Sequence, residues 1–360
     1  MAKLVKAALL IVTVAFMAII MASCGGETLY VFTWGDYLDA QVVKDFEKEY
    51  CIKVKVDTYD SNEALYTTLT KKNSKYDLLF PSDYMIERLI NEGLLEKLNM
   101  DNIPNYKNID DLFKNLDCDP NNEYMVSYMW GTVGLLYNKA RTGGDLDSWG
   151  ALWDEKYKDR IYMYDSVRDT IGLTIMLLGY NPDAATAAGM YGNMNTTNPA
   201  DVRAARDKLI EQKPLKPVYA GDTIRGFMVT NEKDVAVVYS GDAILCKAEN
   251  PNLEYVIPKE GSNVWFDGIV IPKAAKHKES AELFIDYLCR PEVAAYLSEE
   301  IGYTTANRAA LDYMDEDVTS DPIFWPTDEE LARCQIFKDL GSFISEYNDA
   351  WNEITMALSQ

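Results

Sequence analysis

The chain has 360 residues, with 57 acidic against 35 basic side chains and a formal net charge of −22. That length exceeds one ordinary core and suits two domains, and 48% hydrophobic with 26% charged residues is the balance of a folded chain rather than a disordered one. So acidic a chain lacks the basic face of a nucleic-acid binder, and its single histidine, His277, argues against a catalytic triad or a histidine-based metal centre.

The N-terminus reads as a processing signal. Lys3 and Lys6 precede the apolar run "AALLIVTVAFMAIIMA", residues 7–22, which is too short and too cleanly ended for a membrane span. "MASC" followed by "GGE" resembles the lipobox of bacterial lipoproteins, with Met21 where that pattern prefers Leu. By that resemblance residues 1–23 are a signal peptide, Cys24 is the lipidated residue and 24–27 form a tether; a plain secretory signal and an uncleaved anchor are the alternatives. The other five cysteines form no CxxC pair. Cys246 ("AILC") and Cys289 ("FIDYLC") sit in apolar helical patterns and are expected in the core.

Beyond the tether, "TLYVFTW" (28–34) is a β-rich run, and "AQVVKDFEKEY" (40–50) has helical spacing. "IKVKVDTY" (52–59) alternates with period two, "SNEALYTTLTKK" (61–72) is a second helix and "YDLLFP" (76–81) a short buried strand. The helix over 82–93 opens on Ser82 as N-cap and closes at Gly93. "RIYMYDS" (160–166) and "VAVVYSGDA" (235–243) are strands followed by polar turns. "LEYVIP" (253–258) and "VWFDGIVIP" (264–272) are expected to pair across "KEGSN", and residues 278–302 form two helices punctuated by Pro291. Strand and helix alternate throughout, which predicts parallel α/β. No low-complexity linker separates two halves, so they are expected to be joined by strands that cross between them.

In open α/β sheets, ligands sit at the carboxyl ends of strands. Those ends carry Trp34, Asp36 and Tyr37 ("TWGDY"), Ser82, Asp83 and Tyr84 ("PSDY"), Asp165 and Asp169 ("YDSVRD"), Tyr239 and Asp242 ("YSGD"), and Trp265 with Asp267. Trp265 and Asp267 are two apart in a strand and share one face. Rings beside carboxylates suit a protonated amine, which needs an anionic partner and is drawn to aromatic faces at about 0.5–2 kcal/mol per contact. The methylenes of an alkyl amine would bury against ring walls at about 0.8 kcal/mol each. A linear polyamine alternates these two chemistries. Among these strand ends only Arg168 is basic, where an amino acid or phosphate would demand a cationic anchor. Asp165 or Asp169 could instead cap the following helix, and Arg168 could neutralise either.

At these residues the sequence resembles the spermidine/putrescine-binding proteins of ABC importers. The likeness spans nearly the whole mature chain and includes "LYVFTWGDY", "YDSNEALYTTL", "YDLLFPSDYMI", "DPNNEYMVSYMWGTVGLLYN", "WGALWDEKYKDRI", "VWFDGIVIPKAAKHKESAELFIDYLCRPEVA" and "IGYTTAN". It implies an α/β, two-lobed type II periplasmic-binding-protein fold with a crossover-strand hinge, lobe 1 being residues 28–136 with 263–312 and lobe 2 residues 137–262 with 313–360. Trp34, Tyr37, Tyr84, Tyr239 and Trp265 would form an aromatic box, with Tyr239 where the family often has Trp. Asp267 matches the carboxylate that grips an amine, Asp169 an acidic position usually held by Glu, and Ser82 and Tyr303 polar ligand contacts. Ser166 stands in place of a second acid, Phe337 in place of a Gln, Gly35 in place of a hydroxyl residue, and Asp83 adds an acid.

The expectation is a monomeric, lipid-anchored receptor that captures putrescine and/or spermidine, delivers it to an ABC permease, and uses neither cofactor nor catalysis. Two rivals are a receptor for another cationic or neutral solute and an exported hydrolase using paired carboxylates.

Overall fold

A computed structural model of the chain describes residues 27–71, 74–184, 190–221 and 223–359; Cys24 and the apolar run before it lie outside them. Strand β1 (Thr28–Trp34) pairs in parallel with β2 (Lys53–Tyr59) and β3 (Leu78–Leu79). Helix α1 (Ala40–Tyr50) begins where the Asp39 carboxylate accepts from the backbone N–H of Gln41 at 2.7 Å, and it ends on the left-handed Cys51. Helix α2 (Asn62–Leu69) is capped by Ser61. Helix α3 (Asp83–Asn91) has Ser82 at its N-cap position, but the Ser82 side chain makes no capping hydrogen bond.

The longest strand, β4 (Met125–Asn138), is buried along all 14 residues. A strand sequestered on both faces has no polar–apolar alternation to betray it. Beyond it lie β5 (Ile161–Tyr164), α4 (Val167–Gly179), α5 (Pro199–Ile210), β6 (Val218–Ala220) and β7 (Val235–Tyr239). Then follow α6 (Ser240–Glu249), β8 (Leu253–Val256) and β9 (Ser262–Val270). Helices α7 (Lys278–Leu288) and α8 (Pro291–Ile301) precede β10 (Thr304–Thr305), β11 (Cys334–Gln335) and α9 (Ile344–Ser359). The strand order is β2-β1-β3-β9-β4-β7-β5-β6.

Two expectations need correction. β8 and β9 do not form a hairpin. β8 pairs antiparallel with Leu135–Asn138 of β4, and β9 with the Met125–Thr132 stretch, so the two run in one direction as successive partners of a single long strand. The sheet is also mixed rather than wholly parallel: β1–β2–β3 and β5–β6–β7 are parallel groups, while β9 and β4 join them antiparallel. In addition, "SGDA" after β7 is the first turn of α6 rather than a loop.

Two large apolar clusters flank this arrangement. One gathers Leu29 through Trp130 and Phe266 through Ala306; the other gathers Val133 through Val237 with Tyr347, Ala350 and Ile354 of α9. β4 feeds both, contributing Met125–Trp130 (less Ser127) to the first and Val133, Leu135 and Tyr137 to the second. The result is a two-lobed body with a continuous strand running from lobe to lobe. Cys246 and Cys289 are buried in the apolar interior, as their helical spacing predicts. His277 is bound into the structure, its Nδ1 lying 3.0 Å from Asp77, a carboxylate that also accepts from the backbone of Tyr30 and Lys276.

Candidate functional site

The site forms where β1 and β3 end near the start of α3, beside the middle of β9, and faces β7 and α4. Asp267 is its centre. Strand alternation puts Asp267 beside Trp265, and a bridge between Ser82 and Asp267 ties β9 to the N-terminus of α3. Only 4% of Asp267 is exposed. Burial pushes its carboxyl from the ordinary 3.8 up to about 6, opposed by the neighbouring Ser82 and Tyr37 hydroxyls. Ser82 leaves its helix cap unmade and lies beside this carboxylate across the bridge. Asp267 Oδ1 and the Tyr37 hydroxyl are both buried without a hydrogen-bond partner. Burial and the Asp267 charge together drive the Tyr37 phenol well above its usual range.

Rings enclose this carboxylate. Trp265 stands edge-on to Tyr303 at 5.0 Å and to Tyr239 at 5.9 Å, and Tyr37 meets Tyr303 at 6.2 Å. The chain makes room for two of these rings with glycine. A Cβ on Gly131 would lie 2.8 Å from the Trp265 ring and 2.6 Å from Ser240 Oγ, and one on Gly241 would overlap the Tyr303 ring. Trp34 closes one flank against Tyr59 at 4.6 Å, its indole N–H buried and unpartnered.

A second carboxylate enters from the other lobe. Asp169, in the first turn of α4, accepts from Ser166 Oγ at 2.6 Å and from the Tyr239 hydroxyl at 2.9 Å through Oδ2, and its Oδ1 is buried without a partner. Burial raises its pKa, with Ser166 and Tyr239 pulling the other way. Ser166 also caps α4 by accepting from the Asp169 backbone N–H, so one hydroxyl both starts the helix and orients the acid. Asp83 is a third buried carboxylate: burial raises it well above the ordinary value and the Asp267 charge adds to that, while the backbone N–H groups of Tyr84 and Phe266 and the charge of Arg168 oppose. The Tyr84 hydroxyl accepts from Asn62 and donates to Glu63, both at 3.2 Å.

Of the residues picked out in the sequence, the structure thus collects Trp34, Tyr37, Ser82, Asp83, Tyr84, Asp169, Tyr239, Trp265, Asp267 and Tyr303 around one buried locus. Asp36 and Asp165 are exposed, Asp36 in a turn with φ 51°, and Asp242 is half-buried in the first turn of α6. Sequence reasoning passed over Tyr59 and Tyr164. Tyr164 ends β5 and packs edge-on to Tyr239 at 4.8 Å, a position the strand-end rule could have flagged.

Contacts also run from α3 to the segment after β11. The Asp339 backbone N–H donates to Glu87 at 2.7 Å, Lys338 Nζ lies 3.3 Å from Asp117, and Phe337 meets Tyr84 edge-on at 6.5 Å.

A two-lobed body with a buried, partly unsatisfied polar site between parallel-sheet ends is the architecture of a solute receptor, and the chain belongs to the bacterial extracellular solute-binding proteins, whose family model matches residues 41–326. It is 32% identical to the spermidine/putrescine-binding periplasmic protein of Salmonella typhimurium, over 91% of each chain. It is also 32% identical to a putrescine-binding periplasmic protein of Pseudomonas aeruginosa, over 87% of this chain and 88% of that one. A solved structure from Listeria monocytogenes, assigned to a spermidine/putrescine ABC transporter, is 40% identical and superposes with a TM-score of 0.84 over 92% of this chain and 99% of the other. This is a family of transport receptors, and among the described residues no helix is long and apolar enough to cross a membrane.

Proposed function

We propose that the protein captures a linear polyamine, putrescine and/or spermidine, between its lobes and hands it to an ABC permease. One observation carries this reading: Asp267, a buried carboxylate with a raised pKa and an unpartnered oxygen, is ringed by Tyr37, Trp265 and Tyr303 and faces a second such carboxylate, Asp169. A protonated amine supplies the missing donors at each acid, and the alkyl spacer lies against the rings. Each cation–π contact adds about 0.5–2 kcal/mol and each buried methylene about 0.8 kcal/mol. Asp267 with Ser82 and Tyr37 comes from one lobe, Asp169 with Tyr239 from the other. A ligand touching both favours the closed form, which is what couples binding to closure. No bond is made or broken.

The lobe boundaries we assign are 28–136 with 263–312 and 137–262 with 313–360. Membership of the two apolar clusters supports them in outline, with Val133, Leu135 and Trp265 packing on the second cluster and Trp325 and Leu331 on the first. β4 and β9 are the hinge strands in this reading. The receptor acts as a monomer, without catalysis, tethered outside the cell through lipid on Cys24; the lipobox-like "MASC" supports the tether. Calorimetric titration of the soluble domain with putrescine, spermidine, an amino-acid panel and sugars tests the assignment. Saturable binding of an amine alone is expected. Binding of a sugar or amino acid in its place would overturn it.

A further inference from the structure

Ser82 begins α3 without the local devices that usually fix a helix start. Its side chain makes no cap, and Met85 occupies the third helical position, where a capping box would place a Glu or Gln to accept from the Ser82 backbone N–H. Asn62, the first residue of α2, supplies that acceptor from outside the helix: its Oδ1 takes the Ser82 N–H at 3.2 Å. Asn62 is only 3% exposed. Because a backbone N–H can only donate, the amide must turn its oxygen to Ser82, which leaves Nδ2 to donate to the Tyr84 hydroxyl, also at 3.2 Å. Tyr59, the last residue of β2, adds a tie to the same segment, its hydroxyl donating to the Phe80 carbonyl at 2.6 Å.

On its other side the same turn is bound to β9, by the Ser82–Asp267 bridge and by the Gly268 N–H donating to the Pro81 carbonyl at 3.0 Å. The turn that carries Ser82 and Tyr84 is therefore clamped between the Asn62 amide and the strand that carries Asp267. Both polar ends of the amide are engaged by that turn. We propose that Asn62 is a positioning residue for amine capture: it sets where Ser82 stands against Asp267 and how the Tyr84 ring is held, and it acts through those two residues rather than by touching the ligand. The inference rests on the polyamine reading and deepens it. A buried amide with its partners satisfied rigidifies what it joins, and groups that meet a ligand keep their geometry only when the residues behind them are locked. Neither bond is local in sequence, since the amide reaches across 20 and 22 residues to its partners.

The test is calorimetry at pH 8 with putrescine and spermidine as probes, on wild type, Asn62→Ala, Tyr84→Phe, the double variant and Asn62→Asp, with thermal melts to confirm folding. Asn62→Ala should weaken both amines about tenfold, as expected when a buried N–H loses its acceptor. The double variant should lose less than the product of the two single losses, because both substitutions break the Asn62–Tyr84 contact. Asn62→Asp keeps an oxygen for the Ser82 N–H and another to which the Tyr84 hydroxyl can donate, and it should bind within about threefold of wild type. A residue serving stability alone would lower the melting temperature and leave both affinities unchanged; that result in a folded Asn62→Ala protein overturns the proposal. Single losses that simply multiply, or an Asn62→Asp protein as weak as Asn62→Ala, overturn it too. Hydrogen exchange at the Ser82 amide of the wild type, followed by NMR, covers the case of variants that do not fold: slow exchange is expected, and exchange as fast as in an open loop overturns the proposal. If neither amine binds the wild type, the polyamine reading itself fails, a separate outcome.

Discussion

Replacing Asp267 with Asn should stabilise the ligand-free protein while disabling it. The carboxyl is held at about 6 rather than the ordinary 3.8 because burial disfavours its charge. The folded state thus binds this proton more tightly than the unfolded state does. By linkage, the Asp267 contribution to stability is greatest below pH 4, declines as pH rises from 4 to 6, and is flat above that. The decline amounts to about 3 kcal/mol, since each pH step between the two values is worth about 1.4 kcal/mol. Asn has a similar shape and no charge to desolvate, so it removes this loss. For a chain of this size 1 kcal/mol moves Tm by about 2 °C. Thermal melts of the ligand-free domain should therefore show Asp267→Asn melting roughly 5 °C above wild type at pH 8, with the gap closing near pH 4. The same variant should lose amine affinity by about 2 kcal/mol or more, on the order of 30-fold, because a buried ammonium loses its charged partner. A variant no more stable than wild type at pH 8, or one that binds as well, would refute the account of Asp267 as a strained, ligand-serving acid.

Amine affinity of the wild type should be level above pH 7 and fall up to tenfold per unit below about pH 6, as Asp267 protonates; titrations from pH 5 to 8 check this. Gly131→Ala should push the Trp265 ring out of place, since the added Cβ would lie 2.8 Å from it, and overpacking of this kind costs about 1–3 kcal/mol. A shifted tryptophan emission and an approximately tenfold weaker Kd are expected. Glu87→Ala removes the acceptor for the Asp339 N–H. Losing about 1 kcal/mol of interlobe contact should raise the amine off-rate roughly fivefold in stopped-flow traces and leave the on-rate little changed.

Much of the first lobe was legible because its elements alternate and cap in the ordinary way: β1, α1 and β2 fall within a residue or two of their expected spans. The pairing of Trp265 with Asp267 was legible too, because a period of two fixes which side chains share a face. β4 was not. Its burial on both faces erases the alternation by which strands are recognised, and without β4 in view β8 and β9 look like partners. Strand-end position brought most of the right segments to the site without fixing which way each side chain turns, so Asp36 and Asp165 are exposed while Asp169 is buried; Trp265 and Asp267, expected at a strand end, lie instead within β9. Arg168 read in the sequence as a neutralising neighbour; its depth and its stacking on Phe337 depend on a segment some 170 residues away.

The unpartnered polar atoms explain why such a site is built at a cost to stability. Asp83 Oδ2, Asp169 Oδ1, Asp267 Oδ1, the Tyr37 hydroxyl and the Trp265 indole N–H are all buried without hydrogen bonds. A buried polar atom left this way costs about 1–3 kcal/mol, and a folded protein selected for stability alone would have paired or replaced it. In this arrangement the acids are buried from solvent. A diammonium chain that supplies donors at both acids recovers interactions the protein lacks without it, and it recovers them only when both lobes are in place. Donors supplied to acids of both lobes at once are thus the differential affinity that closure requires.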